Sequence, residues 1–284
     1  MRHLVLLTIL CTALPALAMR TVTDELGRAV TVPDHPHRLI CLLPSVVDDV
    51  YALGAGADVI AIPHFTKYPA EARTKPSIGL PLSPSIETIV SLHPDLVLGS
   101  ADLNRLESVN QLQKFGIPVF MVNPHGIEGI YKSIASLGTA LNREQTAKEL
   151  VAHLRQREEA VRARVRGKPT VNLLMPFWYD PVVTIGKHAY ITDLIELAGG
   201  HSVTDDIPQE WPQVSMEAVL ARAPDALLLI TGSRMSIDNI RNRPGWATLP
   251  AIRNNRIYYV EDEIQYPSPV AFDALEDLAK QLHP

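Results

Sequence analysis

Short apolar runs alternate with amphipathic stretches along almost the whole chain. Runs such as LICLL at 39–43 are apolar at every position, as in strands of a parallel sheet that is covered on both faces. The stretches between them, such as LESVNQL at 106–112, repeat apolar residues at helical spacing. This alternation predicts an α/β protein with mainly parallel sheets. Near the start, two alternating segments around Gly27 predict a β-hairpin.

One segment of this pattern occurs twice. Residues 87–97 read ETIVSLHPDLV and residues 217–227 read EAVLARAPDAL, so each copy begins with a glutamate and reaches Pro-Asp seven residues later. The copies are 130 residues apart (217 − 87), whereas solenoid repeats run to roughly 20–50 residues. The repeat therefore predicts two similar Rossmann-like lobes with a cleft between them.

A long helix is predicted between the two lobes. Helical spacing begins after Asn142, which with Gln145 matches a variant of the capping box, and it ends at Gly167. Such a helix is a rigid rod rather than a flexible loop crossing. The predicted division of the mature chain is an N-terminal lobe at 19–140, the connecting helix at 141–168 and a C-terminal lobe at 169–284.

The first residues have the pattern of an export signal. A basic start precedes an apolar run that ends in Ala-Leu-Ala, a cleavage signal. Residues 1–18 are therefore predicted to be a signal peptide cleaved after Ala18, and the mature protein is expected in the periplasm. Cys11 lacks the preceding small residue of a lipid-attachment site, and the run is too short for a membrane span. Only Cys41 remains after cleavage, so no intramolecular disulfide is expected.

Composition and motifs narrow the class of function. The 284 residues are 46% hydrophobic and 20% charged, with a net charge of −5 and no basic block, which argues against binding to nucleic acid. The chain contains no nucleophile elbow, phosphate-binding loop, glycine-rich dinucleotide loop or H-E-x-x-H motif. The absence of these motifs argues against an enzyme. We expect neither a cofactor nor a resident metal, and we expect a monomer.

Six phrases cover nearly all of the mature chain in a characteristic order. They are DELGRAVTVPDHPHRLICLLPS (24–45), YPAEA (68–72), SIETIVSLHPDLVL (85–98), GIPVF (116–120), IELAGGHSV (195–203) and WPQVSMEAVLARAPDALLL (211–229). Their order and spacing resemble the periplasmic binding proteins that serve ABC importers of vitamin B12 and iron chelates, with cobalamin-binding members the most similar. The resemblance implies two α/β lobes, a long connecting helix, little closure motion and a ligand in the cleft.

Three cleft residues match contacts of the cobalamin-binding members. The resemblance places Phe65 and Trp211 where those proteins have aromatic side chains against the corrin ring, and Asp262 where they have a polar contact. A large planar chelate needs flat apolar walls and a few polar groups around its rim. These three residues are therefore predicted to bind the ligand.

Other cleft positions depart from the family pattern. Pro81 and Ser100 stand where the cobalamin-binding members have tryptophan, and Val183 stands where they have phenylalanine. The adjacent aromatics Trp178 and Tyr179 are expected to replace part of the lost stacking surface. All five residues are included in the predicted ligand site.

The two repeated glutamates have a different predicted role. In the resembling proteins, glutamates at the positions of Glu87 and Glu217, one on each lobe, dock on arginines of the two transmembrane subunits of the importer. One carboxylate on each lobe would present a pseudo-twofold pattern to a twofold partner. Each glutamate is also a favourable charge in the first turn of a helix, and this stabilising role is compatible with docking.

The expected ligand is a small-molecule chelate, namely a corrinoid of the vitamin B12 type. A ferric siderophore is one alternative, because anionic chelates favour basic side chains in the cleft. The cations that the strand-end loops offer for this purpose are Lys67, Lys187 and Arg234. A sensor that partners a receptor, rather than an importer, is an alternative outside transport.

Two further alternatives depend on histidines. Haem would take an axial ligand such as His64, His125 or Tyr179. A bare divalent cation would require several side chains to converge, and the loop histidines available are His64, His125, His188 and His201. Their spacing in the sequence does not enforce convergence.

Overall fold

The computed structural model of the protein describes residues 18–233 and 235–284. Residues 1–17 of the predicted signal peptide, which include Cys11, and the siderophore candidate Arg234 lie outside the described residues. Within the part of the chain that is described, no helix has both the length and the apolar character needed to cross a bilayer.

The first half of the chain alternates strands and helices as predicted. Its strands are β1 (Met19–Thr23), β2 (Ala29–Pro33), β3 (Leu39–Cys41), β4 (Val59–Ala61), β5 (Gly79–Leu80), β6 (Ser83–Pro84), β7 (Leu96–Ser100) and β8 (Val119–Val122). Its helices are α1 (Pro44–Ala52), α2 (Ile86–Ser91), α3 (Leu106–Lys114) and α4 (Gly126–Ala140), with short 3₁₀ helices at Gly56–Asp58 and Ala70–Thr74. The long helix α5 (Glu144–Val165) follows.

The second half repeats the alternation. Its strands are β9 (Val171–Leu174), β10 (Trp178–Tyr179), β11 (Val182–Val183), β12 (Gly200–Ser202), β13 (Gln213–Val214), β14 (Ala226–Ile230) and β15 (Ile257–Val260). Its helices are α6 (Tyr190–Leu197), α7 (Met216–Arg222), α8 (Ile237–Ile240), α9 (Pro250–Arg253) and α10 (Ala271–Leu282), with short 3₁₀ helices at Trp246–Thr248 and Asp262–Gln265.

Each lobe is built on a four-stranded sheet with the same topology. The strand order is β4-β3-β7-β8 in the first lobe and β12-β9-β14-β15 in the second, and the neighbouring strands of both sheets are parallel. The predicted α/β fold with two mainly parallel sheets is therefore confirmed. The predicted hairpin is also present, as β1 and β2 pair in antiparallel fashion with Gly27 in the turn at φ 77°.

Alternate strand residues enter different hydrophobic clusters. In β3, Leu39 and Cys41 belong to a large cluster that continues through both lobes, whereas Ile40 belongs to a second cluster confined to the first lobe. In β14, Leu228 joins the shared cluster and Leu227 a third one in the second lobe. Both faces of each sheet are therefore buried, which explains why the strands read as continuous apolar runs.

The sequence repeat is a structural repeat. Helices α2 and α7 begin after Ser85 and Ser215, whose hydroxyls accept hydrogen bonds from the backbone N–H three residues later. Beyond each helix, the N–H of Asp95 donates to the carbonyl of Arg38, and the N–H of Asp225 donates to the carbonyl of Asn172. The two copies thus hold equivalent places against the first strand of each sheet.

The start of the connecting helix differs from the prediction. The helix begins at Glu144 after Arg143, and no side chain caps it, so the predicted N-cap role of Asn142 is wrong. Asn142 instead has φ 56° and directly follows the last turn of α4, a place where a left-handed residue ends a helix. At Gly138 the two helices approach so closely that an added Cβ would lie 2.4 Å from the Cβ of Ala147.

Helix α5 packs against the last helix of each lobe. Its Arg155 pairs with Glu128 of α4, and its Arg157 pairs with Asp273 and Glu276 of α10. The α4 and α10 helices also meet directly, since the rings of Tyr131 and Phe272 lie 5.9 Å apart. At 22 residues, α5 is about 33 Å long. The join between the lobes is therefore a packed three-helix contact rather than a single loop.

Candidate functional site

A cavity of about 240 Å³ lies where the two lobes meet. The first lobe lines it with loops that follow the carboxyl ends of β3, β4 and β7, and the second lobe with the segment that follows β15. The lining residues are Leu43, Pro44, Ser45, Phe65, Pro81, Asp102, Leu103, Gln265, Tyr266 and Pro267. The carboxyl ends of parallel strands are where open α/β sheets bind ligands, so this seam is the candidate site.

Phe65 is held open to solvent at the edge of this cavity. Its side chain is 71% exposed, and its backbone has φ 69°, a left-handed conformation that is unfavourable for a large residue. Its ring meets His64 edge-on, with centroids 6.2 Å apart. Exposure and backbone strain both cost free energy, on the order of 1–3 kcal/mol for the strain alone. An aromatic side chain kept in this state fits a ligand contact better than a structural role.

A second, larger cavity of about 660 Å³ lies along the same seam. His125 and Gly126, which follow β8 of the first lobe, face the second-lobe residues Lys187 and Glu210 there. Trp211 comes directly after Glu210 and is 46% exposed. The predicted ring contact Trp211 is therefore next to a residue that lines the seam.

Asp102 links the two cavities electrostatically and was not predicted from the sequence. Burial by the surrounding walls, followed by the negative charge of Glu210, raises the pKa of the Asp102 carboxyl to about 6, while His125 and the hydroxyl of Ser100 oppose the shift. The carboxyl is still in contact with solvent. Asp102 belongs to the first lobe and Glu210 to the second, so this charge effect acts across the seam. The sequence signal for Asp102 is its place two residues after β7.

Four of the predicted site residues meet on or beside one small sheet of the second lobe. The order of this sheet is β10-β11-β13, and Val183 pairs with Trp178 on one side and with Gln213 on the other. The rings of Trp178 and Tyr179 stack 4.7 Å apart at 18°, and the guanidinium of Arg243 lies 3.4 Å from the centroid of the Tyr179 ring. Tyr179 is thus held by packing, whereas Trp178 remains 38% exposed.

Trp211 is braced by a second aromatic side chain. Phe177 meets it edge-on, with centroids 5.1 Å apart at 88°. Phe177 precedes β10, and its N–H donates to the carbonyl of Val183. The exposed face of Trp211 is therefore fixed in position by the same small sheet, although its indole remains open to solvent.

Asp262 lies at the seam, but its carboxylate has protein partners. It is 8% exposed, forms an ion pair with Lys67 of the first lobe, and accepts a hydrogen bond from the hydroxyl of Tyr68 at 3.4 Å. Lys67, a candidate for binding an anionic chelate, is therefore engaged in a contact between the lobes. The predicted polar contact with a ligand would have to compete with this pair.

Ser100 is placed differently from the expected wall position. It is 1% exposed, its N–H donates to the side chain of Asn104, and its hydroxyl accepts from the N–H of Asp102. Asn104 also donates to the carbonyl of Pro81, so it fixes Pro81 at the cavity wall. Ser100 and Asn104 are therefore buried behind the cavity wall, where their hydrogen bonds hold Pro81 in place. The exposed residue that follows β7 is Asp102.

The four candidate histidines do not form one cluster, and the expectation that all of them lie in loops is wrong for His201. His64 is exposed, and its Nδ1 lies 2.8 Å from the hydroxyl of Ser77. His125 and His188 line the larger cavity, whereas His201 is on β12. Within residues 18–233 and 235–284, no group of three metal-ligating side chains includes His64, His125 or His188. The geometry gives no support to a bare cation held by converging histidines.

The repeated glutamates are exposed and equivalent. Glu87 and Glu217 are each the second residue of a short helix, one on each lobe. A backbone N–H and the hydroxyl of Ser215 hold the pKa of the Glu217 carboxyl below its usual value. Both carboxylates are thus available to a partner.

The chain belongs to the periplasmic binding protein family, whose model matches residues 39–264. Members of this family are substrate-binding proteins of transport systems, and this chain is a substrate-binding protein of the ABC import type. The match covers most of both lobes and the helix between them. It agrees with the resemblance noted from the six sequence phrases.

Three similar proteins show the range of the family. The chain is 27% identical over 245 residues to the vitamin B12-binding protein of Yersinia pestis (strain Pestoides F), covering 86% of each chain. It is 26% identical over 272 residues to the uncharacterized ABC transporter substrate-binding lipoprotein YvrC of Bacillus subtilis (strain 168), covering 93% of this chain and 85% of YvrC. Among solved structures, the apo periplasmic heme-binding protein RhuT of Roseiflexus sp. RS-1 superposes with a TM-score of 0.79 at 27% identity, over 87% of this chain and 98% of RhuT.

Proposed function

We propose that the protein captures a corrinoid of the vitamin B12 type in the seam and delivers it to an ABC importer. The observation that carries this proposal is a pair of exposed aromatic side chains, one from each lobe: Phe65 is 71% exposed and Trp211 is 46% exposed. Rings held open at a cleft fit the flat faces of a large planar chelate. The similarity to a vitamin B12-binding protein supports the same ligand class.

The charges of the seam favour a neutral or cationic chelate. Asp102, Asp193 and Glu210 line the two cavities, and Lys187 is the cation that faces them. Lys67 is neutralised by Asp262. Ferric siderophores with anionic groups require clustered basic side chains, which makes that alternative weaker. Cyanocobalamin carries no net charge and needs no such cluster.

Calorimetric titration with cyanocobalamin tests the proposal. We expect one ligand per chain, and we expect Phe65→Ala to weaken binding by about tenfold or more, because one aromatic contact is worth about 1.4 kcal/mol. Phe115→Ala is the matched control, because Phe115 is also an exposed aromatic, at 63%, and lines neither cavity. Absence of heat, together with no corrin absorbance retained after desalting, would refute corrinoid capture.

Haem is the second candidate, and one observation favours it. The exposed imidazole of His64 lies beside Phe65, and its Nδ1 is engaged by Ser77, which leaves Nε2 open to an axial ligand position. RhuT, with a similar fold, binds haem. Addition of haemin would then shift the Soret band in the wild type and not in His64→Ala. His153→Ala is the control, because His153 is exposed on α5 and distant in sequence from the seam loops.

The proposed partner is the pair of transmembrane subunits of the importer, with Glu87 and Glu217 as docking residues. Exposed ion pairs are weak singly, but they fix orientation at an interface. We expect Glu87→Gln and Glu217→Gln each to weaken binding to the reconstituted importer, and the double variant to weaken it most. Glu107→Gln is the control, because Glu107 is also exposed in the first turn of a helix. Unchanged docking of the double variant would eliminate this role.

The proposed location is the periplasm, with the signal peptide removed after Ala18. The first strand begins at Met19, directly after the proposed cleavage site. Mass spectrometry of the exported protein should therefore give Met19 as its first residue, and light scattering should give the mass of a monomer. A lipid-modified N-terminus would contradict the proposal.

A further inference from the structure

We infer that the second lobe carries a surface site for one divalent transition-metal cation of the zinc class, formed by Glu196, His201 and Asp205. The three side chains each offer a ligand atom, and these atoms all lie within 4.8 Å of one another. Within the residues that the structure describes, this is the only group of three or more metal-ligating side chains with such convergence. The site involves none of the residues proposed to contact the corrinoid.

The spacing of two of the three ligands suits a tetrahedral ion. The Nδ1 of His201 lies 3.4 Å from Oδ2 of Asp205, a contact that is an ion pair when the imidazole is protonated. Two ligands at about 2.0–2.2 Å from a tetrahedral zinc ion are about 3.4 Å apart. The pair therefore already has the separation of two ligands that share one ion.

Three ordered elements hold the ligands in place. Glu196 lies in the last turn of α6, His201 lies in the edge strand β12, and Asp205 lies in the turn that follows. The N–H of Gly199 donates to the carbonyl of Glu196, and the N–H of Asp205 donates to the carbonyl of Ser202. The backbone thus fixes the helix end and the turn beside the strand, so little rearrangement is needed for binding.

Among the residues that the structure describes, the one basic side chain paired with these carboxylates is the imidazole of His201 itself, which pairs with Asp205. In the described part of the chain, no lysine or arginine forms an ion pair with Glu196 or Asp205. Arg222, which is nearby in the fold, binds both carboxylate oxygens of Asp206 instead, at 2.8 Å each. Two carboxylates that approach each other without a lysine or arginine are stabilised by a bound cation, which the neutral imidazole of His201 can ligate as well.

The donor set selects the class of cation. One imidazole nitrogen with two carboxylates suits zinc and related transition metals, whereas calcium and magnesium prefer oxygen ligands alone. Three protein ligands leave the fourth tetrahedral position to water. A bound ion would tie α6 to β12 and to the following turn, and would stabilise the fold by mass action.

The test uses the mature protein without an affinity tag. Titration with Zn²⁺ should give one site per chain, Co²⁺ should give the intense visible absorption of a four-coordinate complex, and excess Zn²⁺ should raise Tm by about 5 °C at a hundredfold excess over Kd. Zn²⁺ should also shift the ring resonances of His201 in the NMR spectrum. Absence of stoichiometric binding by the wild type would overturn the inference.

Variants of the ligands locate the site. His201→Ala and Glu196→Gln should each weaken Zn²⁺ binding by more than about 100-fold. Removal of a residue that only hydrogen-bonds to a metal ligand already lowers metal affinity by about 10–100-fold, and loss of a ligand itself should cost more. Asp206→Asn is the control on the neighbouring carboxylate, and His153→Ala is the control for an exposed histidine; both should bind Zn²⁺ as the wild type does. Equal Tm values in EDTA would show that all variants fold. Wild-type affinity in either His201→Ala or Glu196→Gln would overturn the assignment.

Discussion

The two lobes share one framework and differ in the segments inserted into it. In both, the first strand of the sheet lies between two parallel neighbours, β4 and β7 around β3 in the first lobe and β12 and β14 around β9 in the second. A serine-capped helix precedes β7 and β14, and the final helix of each lobe packs on α5. The first lobe inserts residues 62–85 between β4 and α2, a segment that carries Phe65 and Pro81. The second lobe inserts the small sheet β10-β11-β13, which holds Trp178 and Val183 and braces Trp211.

The difference shows how this fold separates stability from recognition. The framework is buried on both faces of each sheet, so its residues are constrained by packing. The inserts end at the seam and expose aromatic side chains there. Ligand preference can therefore change through the inserts while the framework and the glutamates proposed for docking, Glu87 and Glu217, stay the same.

The largest expected effect separates two of the three tryptophans of the second lobe, Trp246 and Trp211. Trp246 is 1% exposed within the hydrophobic cluster of that lobe, whereas Trp211 is 46% exposed. Trp246→Ala should lower the free energy of unfolding by about 3–5 kcal/mol through the cavity it leaves. Trp211→Ala should cost less than about 1 kcal/mol of stability while weakening ligand binding. Urea unfolding measures the first effect, and equal destabilisation by the two variants would mean that Trp211 is a core residue.

The serine caps test whether the two copies of the repeat are equivalent. Ser85 and Ser215 each accept a backbone N–H at 3.2 Å in the first turn of a helix. Ser85→Ala and Ser215→Ala should therefore each lower the free energy of unfolding by about 1 kcal/mol. The measurement is again urea unfolding. Two values that differ by more than about 1 kcal/mol would show that the lobes do not use the cap in the same way.

The ion pairs of α5 test how each lobe is attached to the connecting helix. Arg157, with 21% of its side chain exposed, bridges Asp273 and Glu276 of the second lobe, whereas Arg155, 51% exposed, pairs with Glu128 of the first. Arg157→Ala should cost about 1 kcal/mol and Arg155→Ala about half as much, because exposed pairs are screened by solvent. The reverse order in thermal unfolding would show that α5 is held mainly by the first lobe.

The smallest expected effect is a pH dependence across the seam, because Asp102 is exposed and solvent screens much of the effect of its charge on stability. Burial and Glu210 raise the pKa of Asp102 to about 6, so the folded protein holds this proton more tightly than the unfolded chain. The stability contributed by that proton is present below about pH 4 and is lost as the pH rises through about 6. Asp102→Asn should remove this part of the pH dependence of Tm, and Glu210→Gln should lower the pKa of Asp102 in an NMR titration. An unchanged pKa in Glu210→Gln would mean that the two lobes do not face each other at this point.

Much of the framework could be predicted from the sequence. The apolar runs and the repeat beginning at Glu87 and Glu217 identify the strands of the two sheets. A strand that is buried on both faces has apolar residues at almost every position, and this pattern is visible in the sequence. Helix α4 was not predicted, since its glycines weaken the helical pattern; one of them, Gly138, allows the close approach to Ala147. Because α4 was missed, Asn142 was predicted to start the connecting helix, whereas in the structure it follows the end of α4.

The candidate site was less predictable, because its details depend on contacts between distant residues. The exposure of Phe65 and Trp211 agrees with their predicted role, which itself remains a proposal. The engagement of Asp262 by Lys67 could not be read from positions 195 apart in the chain. The coupling of Asp102 to Glu210 likewise arises only when the two lobes are brought together.

Hydrogen exchange with and without cyanocobalamin tests most directly whether the ligand lies between the lobes. The account predicts slower exchange in two separated segments, the loop around Phe65 in the first lobe and the loop around Trp211 in the second, with little change in α3 or on the exposed face of α5. Protection confined to one lobe, or found only outside these two loops, would contradict it.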